Sequence, residues 1–206
     1  MRDRQAKNIG LAIVGAGRVG LFRGEVAARH AQVGWIGIAE KNPERAKFVA
    51  EKLKADFVTS DYEELLNRPE VNATIISTDE HLHVDPILLA AERKHSLMIE
   101  KPLATDLGDS AKVLAAIKAS GVDAVVGYTQ RFRRRWLAAK EKVSTGQLGD
   151  VTLVSSRAFM NRLVAIDNYK RTDHPEKISP MVISGTHALD IVMWMMEGKT
   201  PVEIYA

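Results

Sequence analysis

The stretch Ile9-Gly10-Leu11-Ala12-Ile13-Val14-Gly15-Ala16-Gly17-Arg18-Val19-Gly20 decides the fold. Its first six residues form a short run that is apolar on both faces, as a central parallel strand requires. Three glycines in the spacing G-x-G-x-x-G follow at once, and Arg18 to His30 then reads as a helix with Val19, Phe22 and Val26 on one face. Gly15 permits the tight turn, Gly17 lets the backbone approach a pyrophosphate, and Gly20 lets helix and strand pack closely. Arg18 and Val19 open the helix, whose N-terminus supplies N–H groups and a positive dipole. Glu40 stands twenty residues past Gly20 at the end of a second strand, Trp35 to Ala39. A carboxylate there accepts from both hydroxyls of an adenine ribose and repels a 2′-phosphate. The combination favours NAD over NADP, and Lys41 beside Glu40 softens that preference without excluding NADP.

Working outward, strands and helices alternate. Pro43 opens a helix with Ala46, Val49, Ala50 and Leu53 at the i, i+3, i+4, i+7 spacing. Phe57-Val58 is a short strand, Asp61 caps a helix through Leu66, and Ala73 to Ser77 is a fourth strand. A helix from Val84 to Arg93, a strand from Leu97 to Ile99, a helix from Leu107 to Ala119 and a strand from Ala124 to Gly127 complete the series. Such alternation predicts right-handed βαβ units and a doubly wound parallel sheet, the α/β Rossmann class, over residues 1–128.

The pattern changes over residues 129–206. A basic helix from Arg131 to Val143 leads through a turn at Gly146 to Asp150 into Val151 to Phe159, whose alternating faces predict a half-buried strand. Asn161 to Pro180 reads as a long polar loop, His187 to Glu197 as a helix and Val202 to Ala206 as a strand. Leu189, Val192, Met193 and Met196 form the apolar face expected to fix that helix in a core.

Composition narrows the class. The 206 residues carry 29 Lys plus Arg against 26 Asp plus Glu, a net charge of +3, with 46% hydrophobic residues and no cysteine. Disorder, collagen-like structure, disulfide frameworks, thiolate zinc sites and a cysteine nucleophile are excluded. The first apolar stretch is too short for a signal peptide or membrane span, so a soluble cytoplasmic protein with no membrane partner is expected. At roughly 150 residues per domain, the length corresponds to one complete domain and part of a second.

Further motifs carry chemistry. Ser77 and Thr78 end the fourth strand, and the run Thr78-Asp-Glu-His-Leu-His83-Val-Asp85 is read as cleft lining. Consecutive loop residues seldom converge on a metal, and none is assigned. Glu100-Lys101-Pro102 follows the fifth strand at the carboxyl edge, where a lysine holds a substrate hydroxyl and stabilises a developing alkoxide. Alone, the tripeptide is equally a surface lysine beside a turn proline. His187 and Asp190 share a helix face, which lets the carboxylate orient the imidazole, although an isolated histidine at a helix start also serves as a cap. Arg131-Phe-Arg-Arg-Arg-Trp136 looks like a nucleic-acid patch, but helical periodicity spreads the arginines around the axis and no wider basic surface accompanies them. No nucleic-acid partner is assigned.

Taken in order, Gly15-x-Gly17-x-x-Gly20, Glu40, Ser77-Thr78 with His83, Glu100-Lys101-Pro102, Gly127-Tyr128-x-x-Arg131-Phe132, Gly146-x-Leu-Gly149 and Gly185-x-His187-x-x-Asp190 resemble the glucose-fructose oxidoreductase, inositol dehydrogenase and MocA family. The resemblance implies an NAD(P)-dependent dehydrogenase acting at a secondary hydroxyl or keto carbon of a sugar, cyclic polyol or sugar derivative. It implies a C-terminal α/β domain with a mostly antiparallel sheet that serves substrate binding and homo-oligomerisation, expected to be incomplete in this chain. It makes Lys101 the residue between substrate hydroxyl and nicotinamide, His187 the general base and Arg131 a further substrate contact. Ser77, Thr78, His83, Glu100 and Lys101 join the glycine turn and Glu40 in the cofactor set.

Three positions in two stretches depart from the pattern. Ile183 stands where the inositol dehydrogenase branch has an aspartate, and Asp79-Glu80 replaces the usual Pro-Asn. The alternative reading is a non-catalytic NAD(P)-binding remnant or regulator of the same family. A short-chain dehydrogenase is disfavoured, because no Tyr-x-x-x-Lys follows from Tyr62, Tyr128 or Tyr169.

Overall fold

Six strands form one parallel sheet in the order β3-β2-β1-β4-β5-β6 in a computed structural model that describes residues 8–159, 161–170 and 174–205. The strands are β1 (Ile9–Val14), β2 (Val33–Ala39), β3 (Phe57–Thr59), β4 (Ala73–Ile76), β5 (Ser96–Ile99) and β6 (Ala124–Val126). Between them run α1 (Arg18–Ala28), α2 (Pro43–Leu53), α3 (Tyr62–Leu66), α4 (Val84–Glu92) and α5 (Leu107–Ser120). The chain divides into two compact units, Met1–Gly127 and Tyr128–Ala206.

In the first unit the central strands are buried on both faces, so their residues serve two cores. Ile13, Ile38, Val49 and Leu53 fill one side under α1 and α2. Ala12, Val14, Ile76, Ile87 and Ile99 fill the other under α4 and α5. Each fully buried Ile contributes roughly 2–3 kcal/mol of transfer free energy. Helices α2, α3 and α5 start where a side chain satisfies one of their free N–H groups. Asn42 accepts from Arg45 N at 2.9 Å, Asp61 from Glu63 N at 2.8 Å and Asp106 from Asp109 N at 3.1 Å.

Helix α1 departs from its sequence reading. Val19, Phe22 and Val26 face outward, at 38%, 60% and 58% exposure, whereas Gly20 and Gly24 are buried. A Cβ on Gly24 would stand 2.5 Å from Leu53 Cδ1 and 2.8 Å from Ile13 Cδ1. Close approach of the helix to the sheet selects the glycine face, and the apolar stripe is left outside.

The second unit contains α6 (Arg134–Ser144), α7 (Arg162–Lys170) and α8 (Thr186–Met195), with 3-10 turns at Thr129–Phe132 and Pro175–Lys177 and a π-helical turn at Met181–Gly185 leading into α8. The basic helix therefore starts later than expected, and the segment read as a polar loop holds a helix of nine residues. The strand expected over Val151 to Phe159 is not formed, and residues 202–205 of the expected Val202–Ala206 strand are irregular, Ala206 lying outside the described residues. Alternation supplies a face but not a partner, and a strand exists only when another pairs with it. Leu153, Phe159, Val202 and Ile204 are 80% or more exposed, consistent with that. The core face of α8 is Ile191 and Met195 with Ile183, while Leu189 and Met193 of the expected apolar face are exposed. The antiparallel sheet anticipated for this half is thus not present among the described residues.

Candidate functional site

The turn after β1 lies at the switch point of the sheet, between β1 and β4, where the strand order reverses and doubly wound folds bind ligands. Gly15 has φ +85, in the left-handed region, and its N–H donates to Ala39 O at 2.9 Å. A Cβ at Gly20 would lie 2.1 Å from Gly15 O, so that position admits no side chain. At Gly17 nothing lies within 4 Å of a Cβ position. The space is open there because the turn faces a cleft of about 320 Å³, lined by Gly15, Gly17, Glu40, Tyr62, Thr78 and Asp79 among others.

Glu40 closes one end of the cleft. Its Oε2 accepts from Ala16 N at 2.8 Å and its Oε1 from Asn42 N at 3.0 Å. Ser77 is turned to the backbone, donating through Oγ to Gly15 O at 2.7 Å. Thr78 Oγ1 is buried and has no hydrogen-bond partner among the described residues. An open cradle over Gly17, a carboxylate at the end of β2 and an unsatisfied hydroxyl after β4, all lining one cleft, fit a dinucleotide. Arg18 and Val19 sit in the first turn of α1, both exposed.

His83 is placed differently from the cleft-lining role read in sequence. It is 1% exposed, with Nδ1 2.8 Å from Pro102 O and Nε2 3.2 Å from Thr78 O, and burial pushes its pKa below the usual histidine value. It therefore straps the loop after β4 to the loop after β5. Glu100 is likewise held internally, its Oε1 accepting from Arg23 Nε at 2.9 Å and Nη2 at 2.6 Å. Lys101, partly buried, begins a cis peptide to Pro102.

In the second unit, Arg131 meets Asp190. Nε donates to Oδ2 at 2.9 Å and to Oδ1 at 3.1 Å, and Nη2 donates to Oδ1 at 2.6 Å. The hydrogen bond to Asp190 raises the guanidinium pKa. The planar guanidinium fork matches the two oxygens of the carboxylate, which makes the pair charge-assisted and bidentate. His187 lies edge-on to Tyr128, ring centroids 6.3 Å apart, and Thr186 Oγ1 contacts Tyr128 Oη at 3.5 Å. Ile183, 7% exposed, is packed into the apolar core of the unit. Among the described residues no group of three His, Cys, Asp or Glu is placed to hold a metal, and no helix is long and apolar enough to cross a membrane.

Sequence reasoning missed Arg45 and Arg23, and it gave Tyr128 no role beyond its place in the Gly127-Tyr128-x-x-Arg131-Phe132 motif. Arg45 Nε donates to Ala16 O at 2.7 Å and Nη2 to Gly17 O at 2.9 Å. No spacing rule marks a helix arginine that reaches back to a turn 28 residues earlier.

The glycine turn at the switch point, the acid at the end of β2 and the cleft between them define a dinucleotide-binding α/β protein. Residues 9–128 match the oxidoreductase family with an NAD-binding Rossmann fold known as Gfo/Idh/MocA, and the chain belongs to that family. It is 30% identical over 193 residues to 2,7-anhydro-N-acetylneuraminate hydratase of Mediterraneibacter gnavus, covering 93% of this chain and 50% of that protein. It is 28% identical over 196 residues to inositol 2-dehydrogenase of Gluconacetobacter diazotrophicus, covering 93% and 55%. The crystal structure of scyllo-inositol dehydrogenase from Lactobacillus casei with bound NAD(H) and scyllo-inositol has the same fold, with a TM-score of 0.78 at 20% identity over 91% of this chain and 56% of that one. The chain spans about half the length of these relatives.

Proposed function

We propose that this chain takes part in NAD-dependent oxidation or reduction at a secondary hydroxyl or keto carbon of a sugar or cyclic polyol. The cleft over Gly17, with Glu40 at its far end, carries the reading. The inositol 2-dehydrogenase relative supports the substrate class. NAD, when bound, supplies a nicotinamide able to accept or return a hydride. The N–H groups of Gly17, Arg18 and Val19 at the start of α1 bind the pyrophosphate, and Glu40 accepts from the adenine ribose. Lys101 steadies a substrate oxygen as charge develops on it, and His187 takes the hydroxyl proton; both roles rest on the family resemblance. Arg131, held by Asp190, is a further contact with substrate on the same resemblance. Homo-oligomerisation through a C-terminal sheet belongs to the same reading.

The test is titration with NADH and NADPH, then turnover on inositols, aldoses and glycosides. Binding of neither nucleotide would sink the assignment. Lys101→Ala is expected to lower turnover at least tenfold while leaving NADH affinity within about twofold; an unchanged rate removes it from the mechanism. One observation favours a second reading, a dinucleotide-binding protein without turnover. The buried Ile183 offers no polar group at a position where the resemblance expects an aspartate. Tight NADH binding with no turnover on the whole panel selects that reading.

A further inference from the structure

We propose that Arg45 is a positioning residue of the dinucleotide site, holding the carbonyl groups of the glycine turn away from the ligand so that its N–H groups face the cleft. The inference rests on the reading of that cleft as a dinucleotide site. Ala16 is fully buried, and its peptide groups are gripped from two sides. Its N–H donates to Glu40 at 2.8 Å, and its carbonyl accepts from Arg45 Nε at 2.7 Å. The next carbonyl, Gly17 O, accepts from Arg45 Nη2 at 2.9 Å and from Leu21 N at 3.0 Å.

Ala16 precedes the helix N-cap Gly17, so no turn of α1 supplies its carbonyl with a donor. Without Arg45 that oxygen lacks its charged partner, and the Ala16–Gly17 peptide lies between the Glu40 contact to Ala16 N and the Leu21 contact to Gly17 O, at a glycine whose missing side chain restrains it least. A carbonyl swung into the cleft would present partial negative charge to the two phosphates. With both carbonyls held toward α2, the N–H side of the turn remains turned to the anion.

The arginine is itself fixed. Its backbone N–H donates to the Asn42 cap at 2.9 Å, and its guanidinium lies 5.4 Å from the centroid of Phe48. Two carbonyls of successive residues need two donors in one plane, which a guanidinium provides and an ammonium does not.

The experiment compares wild type with Arg45→Met and Arg45→Lys for binding of NADH, ADP-ribose and adenosine, alongside thermal midpoints. Arg45→Met keeps an unbranched side chain without the donors. It is expected to bind NADH and ADP-ribose about tenfold more weakly through the loss of its charge-assisted hydrogen bonds to the two turn carbonyls, while adenosine, which lacks the pyrophosphate, binds as before. Arg45→Lys is expected to recover part of the loss. Equal NADH affinity in Arg45→Met and wild type overturns the proposal. An equal loss for NADH and adenosine also overturns it, because that result marks general damage to the fold. Wild type that binds neither NADH nor ADP-ribose removes the dinucleotide reading, and the inference with it.

Discussion

His83 Nδ1 and the carbonyl oxygen of Pro102 lie 2.8 Å apart in the interior of the first unit, and the other ring nitrogen faces Thr78 O at 3.2 Å. One buried imidazole therefore ties the edge of the nucleotide cleft to the loop that carries Lys101. Burial lowers its pKa, and burial lowers that of His95 as well, whose Nδ1 meets Thr74 Oγ1 at 3.0 Å. A depressed folded pKa means that the unfolded chain binds the proton more readily. The stability is complete above the unfolded value of about 6.5 and is lost as pH falls from there through the folded value. The denaturant midpoint is expected to drop between pH 7.5 and pH 5, and His83→Phe should flatten that slope while costing about 2 kcal/mol at pH 7.5 for the one carbonyl that the neutral ring's single N–H can serve. Parallel slopes for variant and wild type would remove His83 from the effect.

Gly17 and Gly20 separate binding from folding. Gly20→Ala places a methyl 2.1 Å from a backbone oxygen and is expected to cost more than about 2 kcal/mol, read by chemical denaturation. Gly17→Ala meets nothing within 4 Å and should leave the thermal midpoint unchanged within roughly 2 °C. The same methyl intrudes where a pyrophosphate must approach the backbone, so NADH affinity should fall about tenfold or more. Undiminished NADH binding by Gly17→Ala would show that the phosphates lie elsewhere.

Glu40 has two tasks, because its carboxylate also holds Ala16 N and Asn42 N. Glu40→Ser is too short to reach both. The ratio of NADPH to NADH affinity is expected to rise through a loss of NADH binding of about tenfold, with little gain for NADPH. Glu40→Gln retains an acceptor for Ala16 and should lose less. A serine variant that gained NADPH affinity while keeping NADH unchanged would contradict the double role.

The Arg131–Asp190 pair anchors α8 to the turn at Thr129–Phe132. Asp190 is 8% exposed as a side chain and Arg131 41%, so solvent screens one partner only. Arg131→Ala is expected to destabilise the second unit by about 1–2 kcal/mol, because it leaves a buried carboxylate behind. Arg131→Ala/Asp190→Ala together should cost less than the sum of the single changes. Additive effects in a denaturation cycle would mean that the two do not act as a pair.

Much of the first unit is legible in residues near one another. The Asn42, Asp61 and Asp106 caps, Pro43 at the head of α2 and the glycines after β1 each act within a few positions, and they place the elements. What was misread depends on contacts made at a distance. Periodicity marks Val19, Phe22 and Val26 as one face of α1 but does not say which face a sheet accepts, and Leu53 and Ile13 leave room only for glycine. Asp190 lies three residues from His187, and the guanidinium that meets it comes from 59 positions away.

The sequence by itself determined the parallel α/β sheet and the glycine turn with its acid, because strand composition, capping and turn chemistry are local properties of the chain. Only the tertiary structure decided that Arg45 grips that turn, that His83 straps two loops rather than lining the cleft, and that residues 151–159 do not pair as a strand. Those outcomes depend on which groups meet across long separations. Such meetings are settled by packing space and by competition for hydrogen-bond partners, neither of which is encoded in spacing.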